Sequence, residues 1–232
     1  MTSETGVDLG APGVLTDEGD LALEEGPGDP ARIERAVSAL IGRGLTPLLL
    51  GGDHSVTYPV LRAVAAAHRA VSILHFDAHP DLYAVFDGNR LSHACPFARI
   101  MEEGLARRLV QVGIRTLNAH QARQAERFGV EIVTMDAFVA ERVPIPRGLL
   151  YVSIDLDSLD PAFAPGVAHP EAGGLSVRDV IRVLHRVRGP LVGADVVELL
   201  PAADHGGRTA VVAGKLVKEL AGLMLKAEAR AR

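Results

Sequence analysis

The sequence predicts an α/β fold, a three-layer α/β/α sandwich around a mostly parallel sheet. Three observations carry this. Six short runs rich in Val, Ile and Leu recur along the 232 residues, several of them continuous rather than alternating, which is how strands buried on both faces read. Helical patterns separate many of the runs, so strand and helix alternate along the chain. Apolar residues make up 48% of the chain, enough to cover both faces of a sheet.

The elements follow in order. Residues 1–30 are rich in Gly, Pro and acid and are expected to form a loose approach to the domain. The remainder, 31–232, reads as a single α/β domain, since no long linker or internal repeat divides it. The first strand is expected at 47–50. A helix over 56–70 is Ala-rich, with Leu61 and Val64 on one face. Strands at 71–76, 109–113, 130–134, 149–154 and 191–197 follow. Helices are expected over 96–108, 119–128 and 177–186, the last with Ser176 as its N-cap. The longest helix, 208–230, places Val212, Leu216, Leu220 and Leu223 at helical spacing.

Composition excludes several classes of function. A net charge of −5 without a basic stripe excludes a nucleic-acid partner. No apolar stretch is long enough to span a bilayer, so no membrane partner is expected. The polar start MTSETGVDLG does not read as a secretory leader. Cys95 is the only cysteine, so no internal disulfide forms, and a reducing, cytoplasmic setting is expected.

In open α/β sheets ligands bind beyond the carboxyl ends of the strands, and the charged residues gather there. His54 follows the first run in GGDH. Asp77, His79 and Asp81 follow the second in DAHPD, Asp155 and Asp157 follow the fifth, and Glu198 follows the sixth. Residues two apart in extended backbone share a side, so each acidic set can converge. Four carboxylates at one end of a sheet repel one another unless cations neutralise them. Two divalent ions supply the matching charge, with His54, Asp77, His79, Asp81, Asp155 and Asp157 as six ligands. The mixture of oxygen and imidazole favours Mn²⁺, with Co²⁺, Ni²⁺ or Zn²⁺ as alternatives. Asp53 and Asp160 read as turn formers and His75 as a hydrogen-bonded strand residue. His68, His120 and His185 read as surface residues.

The motifs GGDHS at 51–55, DAHPD at 77–81 and SIDLDSLDPAFAPG at 153–166 resemble the three signature blocks of the ureohydrolase family, the arginases, agmatinases and their relatives. SHACPFARIMEEGLARRLVQVGIR and DPAFAPGVAHPEAGGLS are most similar to plant-type arginases and their bacterial relatives. The resemblance implies an arginase-like sandwich with two Mn²⁺. His54, Asp77, Asp81 and Asp155 would hold one ion, and Asp77, His79, Asp155 and Asp157 the other. It implies that His93 moves a proton, that Asp157 also stabilises the reacting centre, and that Glu198 receives a guanidinium. It implies release of urea from a small guanidino substrate by a homo-oligomer, a trimer or hexamer. L-arginine is the preferred substrate, with agmatine and guanidinobutyrate as alternatives. His169, Asn89 and Ser92 are candidates for binding the substrate tail. Family members usually carry a further strand and helix before the one leading to Gly51. This difference keeps open a metal-binding pseudoenzyme that partners a full-length homologue. A single-zinc deacetylase is the third reading.

Overall fold

The computed structural model describes the backbone of residues 1–231 and side chains as far as Lys226. Six strands form one sheet: β1 (Leu48–Leu50), β2 (Ser72–Phe76), β3 (Arg108–Ile114), β4 (Glu131–Thr134), β5 (Leu150–Asp155) and β6 (Leu191–Val197). Their order across the sheet is β1-β6-β5-β2-β3-β4, and every pairing is parallel. β2, β5 and β6 are buried along their whole length, as mostly apolar strands covered on both faces are, and they carry Ser72, His75, Ser153 and Asp195 into the interior.

Helices cover both faces. α1 (Asp29–Gly42), α2 (Thr57–Ala67), α3 (Pro96–Glu102) and α4 (Ala119–Phe128) lie on one side. They bring Ile33, Val37, Val60, Leu61, Val64, Phe97, Ile100 and Ala125 against Ile73, Leu109 and Tyr151. α5 (Val177–Leu184) and α6 (Arg208–Ala231) lie on the other, where Val180, Val183, Leu184, Leu216 and Leu220 pack against Leu74, Val152 and Ile154. Ser176 caps α5 in a full capping box with Asp179.

Several features differ from the sequence expectation. α1 was not anticipated, although Pro30 stands in its first turn and Ile33 and Val37 are buried at helical spacing. α3 ends at Glu102, six residues early, where Gly104 turns the chain with φ +65°. Within the segment expected to be loose, residues 1–9 are anchored. Ser3 and Leu9 are buried, and Thr2 pairs with Asp8. Glu4 contacts Arg178 and Lys215, and its N–H donates to Glu219 at 3.0 Å.

The strand order positions the chemistry. β1, β6, β5 and β2 are neighbours, and because all run the same way their carboxyl ends form one rim. Gly51 to His54, Glu198, Asp155 to Asp157 and Asp77 to Asp81 all leave the sheet along it.

Candidate metal centre

The side chains on this rim converge on two imidazoles. Nδ1 of His54 has Asp77 Oδ2 at 3.2 Å, Asp81 Oδ2 at 3.1 Å and Asp155 Oδ2 at 3.2 Å. His54 is fully buried, yet Nδ1 makes no well-directed hydrogen bond to any of the three. Burial works against a proton on His54, yet Asp155, Asp77 and Asp81 raise it well above the usual imidazole range. Without metal a proton stands where a cation would sit, and a buried polar atom left without a directed partner is costly unless something fills the gap. Nδ1 of His79 has Asp157 Oδ2 at 3.0 Å and Asp77 Oδ1 at 3.4 Å. Asp77 thus serves both groups, one oxygen to each. Donor type, shared carboxylate and orphaned Nδ1 together fit two divalent ions.

Backbone donors hold the carboxylates. His79 N–H donates to Asp77 Oδ1 at 2.6 Å, Asp157 N–H to Asp155 Oδ1 at 2.7 Å, and Ala78 N–H to Asp157 Oδ1 at 3.1 Å. Asp81 and Glu198 have φ of +50° and +69°, backbone strain of the kind that marks functional sites. Gly113 is needed beside Asp77: with φ +99°, a Cβ there would meet the Asp77 carbonyl at 3.0 Å.

The charges respond to this crowding. Burial and the Asp77 charge push Asp81 up to about 8. Burial and Asp77 push Asp157 up to about 6. Burial and Asp157 raise Asp155 well above the carboxylate range. Asp77 goes the other way: burial opposes its charge, but contacts with His54, His75 and His79 outweigh it. Burial works against a proton on His79, yet Asp157 and Asp77 raise it to about 11. Without metal, protons therefore supply the positive charge of the site.

A second tier of polar groups was not anticipated. Behind His54, Nε2 meets Ser153 Oγ at 2.9 Å, and Ser153 donates to Asp195 Oδ1 at 2.6 Å. Fully buried Asp195 also accepts from Tyr151 at 2.7 Å and Thr57 at 2.8 Å. With its proton directed at Asp195, Ser153 accepts from His54 Nε2–H, which leaves Nδ1 free for a ligand. Gln111 Nε2 donates to His75 Nδ1 at 3.0 Å, so His75 Nε2–H faces Asp77 at 2.9 Å. His75 is thus the hydrogen-bonded strand residue expected. Arg115 braces the carbonyls of Asp157 at 2.7 Å, Ser158 at 3.2 Å and Glu171 at 2.7 Å. Ser153 shares a strand side with Asp155, and that alternation is the signal that could have flagged it.

At the mouth, the rings of His93 and His169 stack at 5.3 Å, and His169 meets His79 edge-on at 6.2 Å. Burial holds His93 below the usual imidazole range. Glu198 Oε1 accepts from the N–H of His54 at 2.8 Å, and burial raises its carboxyl. Asn89 and Ser92 lie on the same loop as His93 and accept from Leu91 N–H at 2.8 Å and Ala94 N–H at 3.4 Å. Asp53 and Asp160 organise turns as expected. Two of the presumed surface histidines are engaged: His120 stacks on Tyr83 and His185 pairs with Glu219 at 3.1 Å.

Comparison with known proteins identifies the family. Residues 5–222 match the arginase family. The chain is 49% identical to Arginase 1, mitochondrial, of Arabidopsis thaliana over 97% of its own length and 70% of the relative's. It is 35% identical to the mitochondrial agmatinase of Gallus gallus over 89% of its length and 66% of that protein's. Among solved structures, an arginase from Medicago truncatula superposes with a TM-score of 0.90 at 45% identity, over 96% of this chain and 76% of that one. The chain belongs to the arginase family, whose enzymes are amidinohydrolases acting on guanidino compounds.

Proposed function

We propose that the chain hydrolyses L-arginine to L-ornithine and urea, with two Mn²⁺ as its ions. The observation that carries this reading is the convergence of Asp77, Asp81 and Asp155 on His54 Nδ1 at 3.1–3.2 Å. His54, Asp77, Asp81 and Asp155 would hold one ion, and Asp77, His79, Asp155 and Asp157 the other. When bound, the ions supply the charge that lowers the pKa of water and readies it for attack.

The chain's own groups account for the rest. A guanidinium is a planar cation that carboxylates bind through paired hydrogen bonds. Glu198 presents such a carboxylate, anchored through Oε1 on the His54 backbone. Docking a cation there also stabilises the ionised form that burial disfavours. Asp157 stands at the reacting centre as both ligand and hydrogen-bonding group. His93, largely neutral because it is half buried, can take up a proton and pass it to the leaving amine. His169 stacks on His93 and stands with Asn89 and Ser92 where the substrate tail would lie.

Arginine is preferred because identity to the plant arginase, 49%, exceeds that to the agmatinase, 35%. We read 31–232 as one catalytic domain that works as a homotrimer or hexamer. β1 at the sheet edge leaves Leu50 72% exposed, a surface suited to subunit contact. Among the described residues no helix is long and apolar enough to cross a membrane. A reducing cytoplasmic setting suits the free Cys95, and cell fractionation tests it, since the plant relative is mitochondrial by name.

The deciding experiment is urea release from arginine, agmatine and guanidinobutyrate by Mn²⁺-reconstituted protein. Arginine should give the highest kcat/KM. A faster reaction with another compound reassigns the substrate. Two bound ions without urea from any of the three would overturn the hydrolase reading in favour of a metal-binding partner of an active homologue.

A further inference from the structure

At the end of the sheet opposite the carboxylates, a cavity of about 250 Å³ opens beside the amino ends of β2, β3 and β5. Ser72, Arg107, Arg108, Ile145 and Arg147 line it. Arg108 is occupied: its guanidinium forks onto Glu131, Nε to Oε1 at 2.6 Å and a terminal nitrogen to Oε2 at 2.9 Å. The guanidiniums of Arg107 and Arg147 have no hydrogen-bonding or ion-pairing partner among the described residues. The hydroxyl of Ser72 has none either, although the residue is only 3% exposed. Ser72 is flanked by Arg108 on β3 and Leu150 on β5. Its backbone N–H is satisfied by the Leu149 carbonyl at 2.9 Å, so the hydroxyl is the polar group that Ser72 presents to the cavity.

Three guanidiniums against the Glu131 carboxylate leave two positive charges around the cavity, in a chain whose net charge is −5. A basic pocket on an acidic protein selects anions locally. Arginine forks match the paired oxygens of an oxyanion, and a nearly buried hydroxyl adds a directional donor. A carboxylate brings one charge and two oxygens. A phosphoryl group brings about two charges and three strong acceptor oxygens, matching two forks and a hydroxyl. Ile145 closes one wall with apolar surface.

We propose that this cavity binds a dianionic phosphoryl group, either free phosphate or the end of a small phosphomonoester. The site is separate from the metal centre and does not depend on the reaction carried out there.

The test is calorimetric titration of the Mn²⁺-loaded full chain with inorganic phosphate and, separately, methyl phosphate, at ionic strength held constant with chloride. One saturable site per chain is expected for at least one of them. Binding of both assigns a phosphomonoester site, and binding of phosphate alone assigns the free ion. Affinity should fall at least tenfold in Arg107→Ala/Arg147→Ala, with metal content and urea release unchanged. Arg107→Lys/Arg147→Lys keeps the charge but loses the forks and should also weaken binding, which covers the case in which the alanine variant fails to fold. Three results would overturn the proposal. These are no saturable binding by the parent chain, undiminished binding in the folded double variants, or a changed oligomer mass in those variants, which would assign the arginines to a subunit contact.

Discussion

Ser153→Ala isolates what orients the metal-facing imidazole. Ser153 Oγ stands 2.9 Å from His54 Nε2 and 2.6 Å from Asp195 Oδ1. Asp195 accepts from the Ser153 hydroxyl, so Oγ accepts from Nε2–H, and Nδ1 faces Asp77, Asp81 and Asp155. Alanine removes the only acceptor of Nε2–H among the described residues and leaves a buried donor unpaired, a loss of about 1–3 kcal/mol. Removing the partner behind a ligating histidine typically lowers metal affinity about 10–100-fold, which is about 1.4–2.8 kcal/mol. The first is lost from folding stability and the second from binding, so one Mn²⁺ should bind at least about tenfold more weakly. The group of His79, Asp77 and Asp157 does not touch Ser153 and should hold its ion. Mn²⁺ titration followed by electron paramagnetic resonance separates the cases. The variant should show a mononuclear spectrum at one equivalent and need excess metal for the coupled spectrum. Unchanged affinity at both positions in a folded variant, or equal loss at both, would refute the reasoning.

Two further predictions concern the mouth of the site and the amino terminus. His93→Ala should retain both ions while kcat falls by about 10²–10⁴-fold, the range of a positioned acid–base group, and steady-state urea assays with metal analysis check it. Glu4 is held down at about 2 by its contacts with Arg178 and Lys215, against a usual 4.5. A depressed carboxyl stabilises fully above its unfolded value and loses that contribution as pH falls through the folded one. Between about pH 4.5 and 2 the first residues should therefore detach, seen as faster amide exchange at Glu4 and Leu9; exchange independent of pH beyond its intrinsic rate would refute this.

The strands were legible because a sheet buried on both faces demands continuous apolar runs, and 149–154 or 191–197 can hardly be read otherwise. The candidate ligands were legible as a cluster because DAHPD and SIDLD put charge where such runs stop. Local pattern said less about residues whose role depends on distant neighbours. Asp195 sits in an apolar strand, and only pairing of β5 with β6 brings it opposite Ser153. Arg115 acts through backbone carbonyls at 157, 158 and 171, which no side-chain motif encodes. Ile33 and Val37 carry the helical period of α1, but the Gly- and Pro-rich stretch before them masked it. Docking of residues 1–9 rests on Glu219, more than two hundred residues away.

The topology also explains why the site calls for cations. Helices that follow parallel strands return antiparallel to them, so α2, α5 and α6 begin at the carboxylate end of the sheet. Each helix start offers roughly half a positive charge, and its influence fades within about one turn. α2 begins three residues after His54, close enough to favour negative charge near it. Such partial charges cannot balance Asp77, Asp81, Asp155 and Asp157 together, and the raised positions of three of the four register the shortfall. The deficit must be met by protons or by metal. Protonated carboxyls and imidazoliums at His54 and His79 can hold the rim together, but they block the same lone pairs that a ligand set needs free. The rim is therefore a place where metal and protons compete for one set of atoms, and the Ser153–Asp195 contact biases that competition by keeping His54 Nδ1 turned toward the oxygens.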